Sequence, residues 1–205
     1  MEQENVNQLN KYILFIVIIY MISLPNEDLY LQLIYGLVDN GWNGSWNIKD
    51  DKIVIDNGQT MIKRLKNKPL DYYEALRLAM CIGINLASLV PLNKSILFLS
   101  LDDIYVIDQD WYILSSLEKL VPIISKNTVM LTRSISFKGY LAPELKNIKS
   151  LPFKTNITSI YYSLAALIIE ALAIDNLSPL AGSKLYFFLQ RCFFINPEER
   201  YFLFI

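Results

Sequence analysis

Acidic side chains that could act as a general base or bind a metal ion cluster near the middle of the chain. Asp102 and Asp103 stand between two β-type runs, and Asp108 and Asp110 follow the second run. Carboxylates of this kind accept protons and bind Mg²⁺. Adjacent aspartates between strands are also ordinary turn residues, and we interpret Asp102 and Asp103 chiefly as a turn. A catalytic or metal-binding role would require another carboxylate to converge on them.

The residues that are missing exclude much of ordinary enzyme chemistry. The sequence contains no histidine, which excludes imidazole bases, Ser-His and Cys-His nucleophile pairs, and the nitrogen ligands of most zinc sites. Cys81 and Cys192 lie in apolar helical patterns, so we expect buried thiols in a reducing compartment rather than a disulfide. The sequence therefore predicts a cytoplasmic protein with no metal and no cofactor.

Composition and charge indicate one folded domain. The chain has 205 residues, is 53% apolar and has a mean hydropathy of +0.30, so a sizeable core is expected. Its 19 basic and 20 acidic residues, interpreted as spread along the chain, provide no basic field for a phosphate backbone. Nucleic acid is not expected as a partner.

The most apolar stretch, Tyr12 to Leu24, bears on membrane attachment. Its 13 residues fall short of the roughly 20 that a membrane-spanning helix needs. We interpret the stretch as a buried element and keep a membrane anchor as the less favoured alternative.

Hydrophobic periodicity and turn residues predict an α+β fold in which helices dominate. A long helix, Tyr72 to Leu89, is capped by Asp71, and the stretch before Lys138 is expected to be a loop. The other predicted helices are Glu27 to Asp39, Gln59 to Lys68, Thr158 to Ala173 and Ser183 to Phe194. The predicted strands are Trp46 to Ile48 and Lys52 to Ile55, which form a hairpin, and three short antiparallel strands, Ser95 to Ser100, Ile104 to Ile107 and Trp111 to Leu114.

Several of these segments, in the same order, resemble the C-terminal lobe of the protein-kinase superfamily from about Lys52 to Arg200. "KIVID" is similar to the strand before the interlobe hinge, "SILFLSLDDIYVID" to the strands around the catalytic loop, "GYLAPEL" to the end of the activation segment, and "SIYYSLAALIIEAL" to the central buried helix. The resemblance implies a protein-kinase-like fold, with residues 52–205 similar to the C-terminal lobe. Residues 1–51 would then be a reduced N-terminal lobe or an extension.

The residues that a kinase needs for phosphoryl transfer are replaced. The resemblance places Ser100 at the catalytic aspartate and Ser116 at the metal-binding aspartate, and the chain has no G-x-G-x-x-G loop. The aspartate that usually opens the buried helix aligns with Ile160, which removes a tether to the activation segment. Glu118, at the end of the Asp-Phe-Gly position, is the one candidate that could join Asp102 and Asp103 as a substitute acid.

One structural feature of the family is retained. The resemblance pairs Glu144, of the Ala-Pro-Glu motif, with Arg200, and a partly buried carboxylate and guanidinium can form a bidentate ion pair without any phosphate. The chain therefore looks like a catalytically inactive pseudokinase.

The leading functional hypothesis is a scaffold or regulator that binds another protein through exposed aromatic and apolar residues, for which Trp42, Trp46 and Tyr186 are candidates. The alternative is that these three residues belong to the core, and we expect Trp42 and Trp46 to cover a core edge rather than bind a ligand. One alternative function is a highly divergent ATP-dependent kinase or transferase whose acids come from Asp102, Asp103, Asp108 or Asp110. A second is a membrane-attached or virion structural component. The bias towards Asn, Ile, Lys and Tyr resembles proteins of large AT-rich DNA viruses, so a viral origin is a further expectation.

Overall fold

The computed structural model describes residues 21–25, 27–134 and 139–202. Within these ranges the chain forms short strands and five helices. The helices are α1 (Asp28–Asp39), α2 (Met61–Leu65), α3 (Tyr72–Leu89), α4 (Ser159–Ala171) and α5 (Lys184–Cys192). The strands are β1 (Ile22–Pro25), β2 (Trp46–Lys49), β3 (Lys52–Ile55), β4 (Gly58–Thr60), β5 (Lys94–Ile96), β6 (Ile104–Ile107), β7 (Trp111–Leu114), β8 (Leu120–Ser125), β9 (Thr128–Leu131) and β10 (Phe153–Asn156).

All strand pairs are antiparallel, and the described strands form three small sheets. Their orders are β1-β3-β2, β4-β6-β7 and β10-β9-β8-β5. The mixed α+β class predicted from the sequence is confirmed.

The β2–β3 hairpin follows from its turn residues and its alternation. Asp50 and Asp51 both have left-handed backbone angles, with φ of 50° and 57°, as the two central residues of a tight hairpin turn require. Ile53 and Ile55 alternate with more exposed neighbours, and both are fully buried in the main core. The hairpin thus contributes one apolar face to that core.

Helix α3 is the central element of the main core. Its first turn carries a capping box, in which the Asp71 carboxylate accepts a hydrogen bond from Glu74 N (2.9 Å) and Glu74 accepts one from Asp71 N (2.8 Å). The helix packs against α1, α4, β5 and β7. The approach to α1 is close, because a Cβ atom on Gly36 would lie 2.5 Å from Ser88 Oγ.

By length and composition, α3 with the turn after it (Tyr72–Leu92) could cross a membrane. Half of that apolar stretch is buried inside the protein, and core helices of soluble proteins have the same character, so this is weak evidence for a span. Of the apolar run Tyr12 to Leu24, residues 12–20 lie outside the described residues. Ile22 and Leu24 are buried side chains of β1.

Several predicted elements are confirmed with small changes at their ends. The helix predicted for Glu27 to Asp39 is α1, the helix predicted for Tyr72 to Leu89 is α3, and β6 and β7 have the predicted bounds. Helix α4 stops before Ala173 because that residue is left-handed (φ 52°). Helix α5 begins after Ser183 because the Ser183 hydroxyl caps it, accepting from Tyr186 N.

Other predictions are wrong, and strand pairing explains why. The predicted helix Gln59 to Lys68 shortens to α2 because residues 58–60 pair with β6. The predicted strand Ser95 to Ser100 ends at Ile96, and β5 pairs with β8 rather than with β6. The expected loop before Lys138 contains the β8–β9 hairpin. Only one β8 residue, Val121, and two β9 residues, Val129 and Leu131, are buried, and this pattern is too short to reveal strands that distant pairing stabilises.

Asn85 links α3 to β7 inside the core and gives a test of this packing. Its side chain is fully buried, accepts a hydrogen bond from Leu114 N (3.0 Å) and donates one to Cys81 O (2.9 Å). We expect Asn85→Leu to lower the free energy of unfolding by about 2 kcal/mol, because the buried Leu114 N–H loses its acceptor. Urea denaturation measures the change. Ser88→Ala on the same helix, where the hydroxyl only bonds back to Ile84 O, is the control, and an equal loss in both variants would contradict this account.

Candidate functional site

The loop that the resemblance equates with a catalytic loop runs from Leu97 to Asp103 and is held by α4. Ser163 Oγ, in the middle of α4, accepts a hydrogen bond from Leu99 N at 2.7 Å. Leu99 O accepts one from Tyr140 N at 3.0 Å, and the preceding Gly139 (φ 135°) allows that approach. A Cβ atom on Gly139 would lie 2.8 Å from Leu99 O. The loop is therefore fixed from two sides.

Sequence reasoning missed Ser163. Ile160, where the resemblance predicted the loss of a tether to the activation segment, is a buried apolar residue of α4. Ser163, one turn further along the same helix, forms a different tether, to the loop from Leu97 to Asp103. The available signal was a small hydroxyl residue inside a nearly continuous apolar run, because buried polar groups nearly always have a hydrogen-bond partner.

The carboxylate of Asp103 is the buried acid of this loop, and its hydrogen bonds are internal. Asp103 is 6% exposed, and its Oδ2 accepts from Ser100 N (2.6 Å), Ser100 Oγ (2.7 Å) and Lys119 Nζ (2.5 Å). The Lys119 ammonium also lies 4.7 Å from the centre of the Phe98 ring. Asp103 and Ser100 thus form the cap of the short 3₁₀ turn Leu101–Asp103, neutralised by a lysine.

The other candidate acids do not converge on Asp103. Asp102 and Glu118 are exposed, and the described residues contain no group of three His, Cys, Asp or Glu side chains that could hold a metal ion. Among the described residues, therefore, no further carboxylates gather around Asp103 as a substitute metal site would need. Ser116, at the other degenerate position, accepts from Glu118 N (3.3 Å) as a turn residue does.

Asp108 and Asp110, the further acids of this region, have structural partners. Asp108 accepts a hydrogen bond from Trp42 Nε1 (2.7 Å), and Asp110 lies 3.7 Å from the Arg77 guanidinium. Trp42 is 2% exposed, so its predicted place in the core is confirmed and the alternative of an exposed anchor is wrong for this residue. Its position follows from the end of α1, where Trp42 N donates to Leu37 O. Trp46 and Tyr186, the other two anchor candidates, are half-buried.

Glu144 and Arg200 form the bidentate ion pair expected from the resemblance. The two distances are 2.6 Å between Nη1 and Oε1 and 2.9 Å between Nη2 and Oε2. The Arg200 side chain has no exposed area, and Glu144 retains 18%. The remaining Arg200 donors bond to Phe194 O (2.6 Å) and Ile195 O (2.8 Å), so the guanidinium bridges two separate segments.

The same carboxylate is bonded to the start of α4. Ser159 Oγ donates to Glu144 Oε1 at 2.7 Å. Burial raises the pKa of Glu144, but the hydrogen bonds from Arg200 and Ser159 favour the ionised form more strongly, so its pKa lies below the ordinary 4.5. The pair is therefore charged at neutral pH.

Cys81 and Cys192 are buried free thiols, as predicted. Burial raises the pKa of each thiol to about 12, which keeps both protonated and poorly reactive at neutral pH.

No protein-family model matches this chain, and no curated protein sequence gives a significant match.

Removing the guanidinium tests how much the Glu144–Arg200 pair contributes to the free energy of unfolding. We expect Arg200→Ala to lower the free energy of unfolding by about 3 kcal/mol, because a mostly buried carboxylate loses its partner and the carbonyls of Phe194 and Ile195 lose their donors. Thermal or urea denaturation measures it. Arg191→Ala is the matched control. Within the described part of the chain, Arg191 lies over the ring of Tyr201 and forms no ion pair. An unchanged denaturation midpoint for Arg200→Ala would show that the pair does not stabilise the fold.

The depressed pKa of Glu144 gives a pH prediction. A folded-state pKa below the unfolded value contributes stability that is present above the unfolded value of 4.5 and is lost as pH falls through the folded pKa. We expect the stability difference between the natural chain and Glu144→Gln to be constant above about pH 5.5 and to shrink below about pH 4.5. Urea denaturation at a series of pH values measures it. A difference that grows on acidification would show that the sign is wrong.

Proposed function

We propose that this chain is a catalytically inactive, protein-kinase-like module that acts by binding another protein as a scaffold or regulator. The observation that carries the proposal is the environment of Asp103. Its carboxylate already accepts three hydrogen bonds, one from a lysine ammonium, and the position equated with the catalytic aspartate is Ser100, which donates two of them. These bonds hold the carboxylate through Oδ2 as a turn cap and pair it with Lys119, and the described residues contain no group of three His, Cys, Asp or Glu side chains that could hold Mg²⁺ with it.

The kinase-like part of the proposal is supported by a contact distant in sequence. The resemblance pairs Glu144 with Arg200, and these residues, 56 positions apart, meet in bidentate geometry. If the Ala-Pro-Glu match had arisen by chance, its glutamate would have no reason to contact this distant arginine. The hydrogen bond between Ser163 and the Leu99 backbone supports it further, because it joins the two segments that the resemblance equates with the central buried helix and the catalytic loop.

The binding part of the proposal rests on two observations: the candidate catalytic acids do not form a site, and large apolar side chains are exposed. The acids considered as catalytic substitutes, Asp102, Asp103 and Glu118, are either bonded internally or separate and exposed. No described feature favours the divergent-kinase alternative over binding. Exposed aromatic and aliphatic side chains, among them Tyr73, Phe187 and Ile195, provide surface for a protein partner.

Nucleotide binding is the decisive measurement. A ligand that binds only the folded state raises its stability by mass action, so Mg-ATP at 5 mM with a dissociation constant of about 0.5 mM would add about 1.4 kcal/mol, or about 3–6 °C in Tm. We expect no shift of that size with Mg-ATP, and no phosphate transfer above buffer in a radiolabel assay. ATP with EDTA and Mg²⁺ alone are the controls.

A magnesium-dependent shift of several degrees would overturn the inactive assignment. Asp103→Asn and Lys119→Met would then identify the site, because a nucleotide bound at this loop would change affinity in both variants. Asp39→Asn, an exposed aspartate outside this loop and not among the candidate acids, would serve as the matched control.

A further inference from the structure

Basic residues are concentrated in one part of the chain, contrary to the even spread expected from the totals. Residues 119–158 contain seven lysines and arginines and a single acidic residue, Glu144, whereas the rest of the chain has 12 basic and 19 acidic residues. Glu144 is neutralised by Arg200, and Lys119 is neutralised by Asp103. The surface of this part of the chain is therefore positive on a protein of net charge −1.

A groove of about 350 Å³ opens on this positive surface. Its floor is apolar, formed by Leu131, Leu145, Ile148 and Leu151, and its rim carries Lys146 and Lys149. Leu131 and Leu145 are buried, and Leu151 is 41% exposed. We call this site the lysine groove. Its volume is in the lower part of the range of about 300–1,000 Å³ that is typical of ligand pockets.

The two rim lysines are available to a partner. No carboxylate lines the groove, and neither Lys146 nor Lys149 forms an ion pair with a described residue. The turn that carries Lys146 is rigid, because Leu145 N donates to Ala142 O (2.9 Å), Lys146 N donates to Pro143 O (3.2 Å) and Glu144 is tied inward to Arg200. The groove thus presents two positive charges beside an apolar cavity whose wall is already fixed.

We propose that the lysine groove binds an acidic segment of a partner protein, which inserts a leucine, isoleucine, methionine or phenylalanine over the apolar floor and sets Asp or Glu side chains against Lys146 and Lys149. This proposal rests on the proposed binding function and names its site. The aliphatic floor favours a peptide over a single-stranded nucleic acid, because none of the lining residues is an aromatic on which bases could stack.

The test is a selection of displayed random 12-residue peptides on the purified full chain, followed by fluorescence anisotropy of the enriched peptides. We expect enrichment of peptides that combine Asp or Glu with one or two large apolar residues. Lys146→Glu combined with Lys149→Glu should weaken their binding by about tenfold or more, because two attractive pairs become repulsive. Leu151→Ser should weaken it as well, because the floor loses apolar area.

A matched control separates the groove from general charge. Lys126→Glu combined with Lys154→Glu makes the same change in net charge at two exposed positions that do not line the groove. We expect that variant to bind within about twofold of the natural chain, since separated surface charges are screened by salt. Thermal melts of all variants establish that they are folded.

Several results would overturn the proposal. Equal losses in the two double variants would indicate non-specific charge attraction. Peptides that bind but ignore the groove variants would place the binding surface elsewhere and leave the proposed binding function standing. Failure to select any peptide, with groove-dependent binding of single-stranded RNA or of phosphatidylserine vesicles instead, would reject a protein partner.

Discussion

The buried guanidinium of Arg200 is the constraint on which the second half of the structure depends. An arginine remains charged at any physiological pH, and a fully buried positive charge is tolerated only when its donors are satisfied. Here they bond to Glu144 and to the carbonyls of Phe194 and Ile195. Glu144 in turn accepts from Ser159 at the start of α4. One charged group therefore fixes the turn at residues 143–145, the first turn of α4 and the segment after α5 relative to one another.

A second set of polar contacts holds the loop from Leu97 to Asp103 against the same helix. Ser163 provides the acceptor for Leu99 N, and Lys119 with Ser100 satisfies Asp103. In a low-dielectric interior such satisfied contacts specify one arrangement, because any shifted arrangement leaves a polar group unpaired. The Asp103 carboxylate thus fixes the backbone of this loop.

The parts of the fold that could be predicted are those whose signal is local. The long helix α3 follows from periodicity and from its Asp71 cap, and the β2–β3 hairpin from its turn. The β8–β9 hairpin, the Lys119–Asp103 pair and the Ser163 tether could not be predicted, because each depends on a partner that only the folded chain brings near. The Glu144–Arg200 contact is equally distant in sequence, and only the family resemblance made it predictable. The local excess of basic residues was visible in the sequence but is hidden when charges are summed over the whole chain.

The structural pair and the proposed binding groove share one short segment. Glu144 points inward to Arg200, while the residues that follow it supply one floor residue and one rim residue of the lysine groove, Leu145 and Lys146. Because the turn is anchored by a buried ion pair, the groove wall loses little conformational entropy when a ligand binds, and pre-organisation of this kind increases affinity. By anchoring this turn, Glu144 also fixes the position of the exposed Lys146, and this role needs no phosphate. Under the proposal that this chain is an inactive kinase-like module, the ion pair would serve the binding surface rather than a reaction.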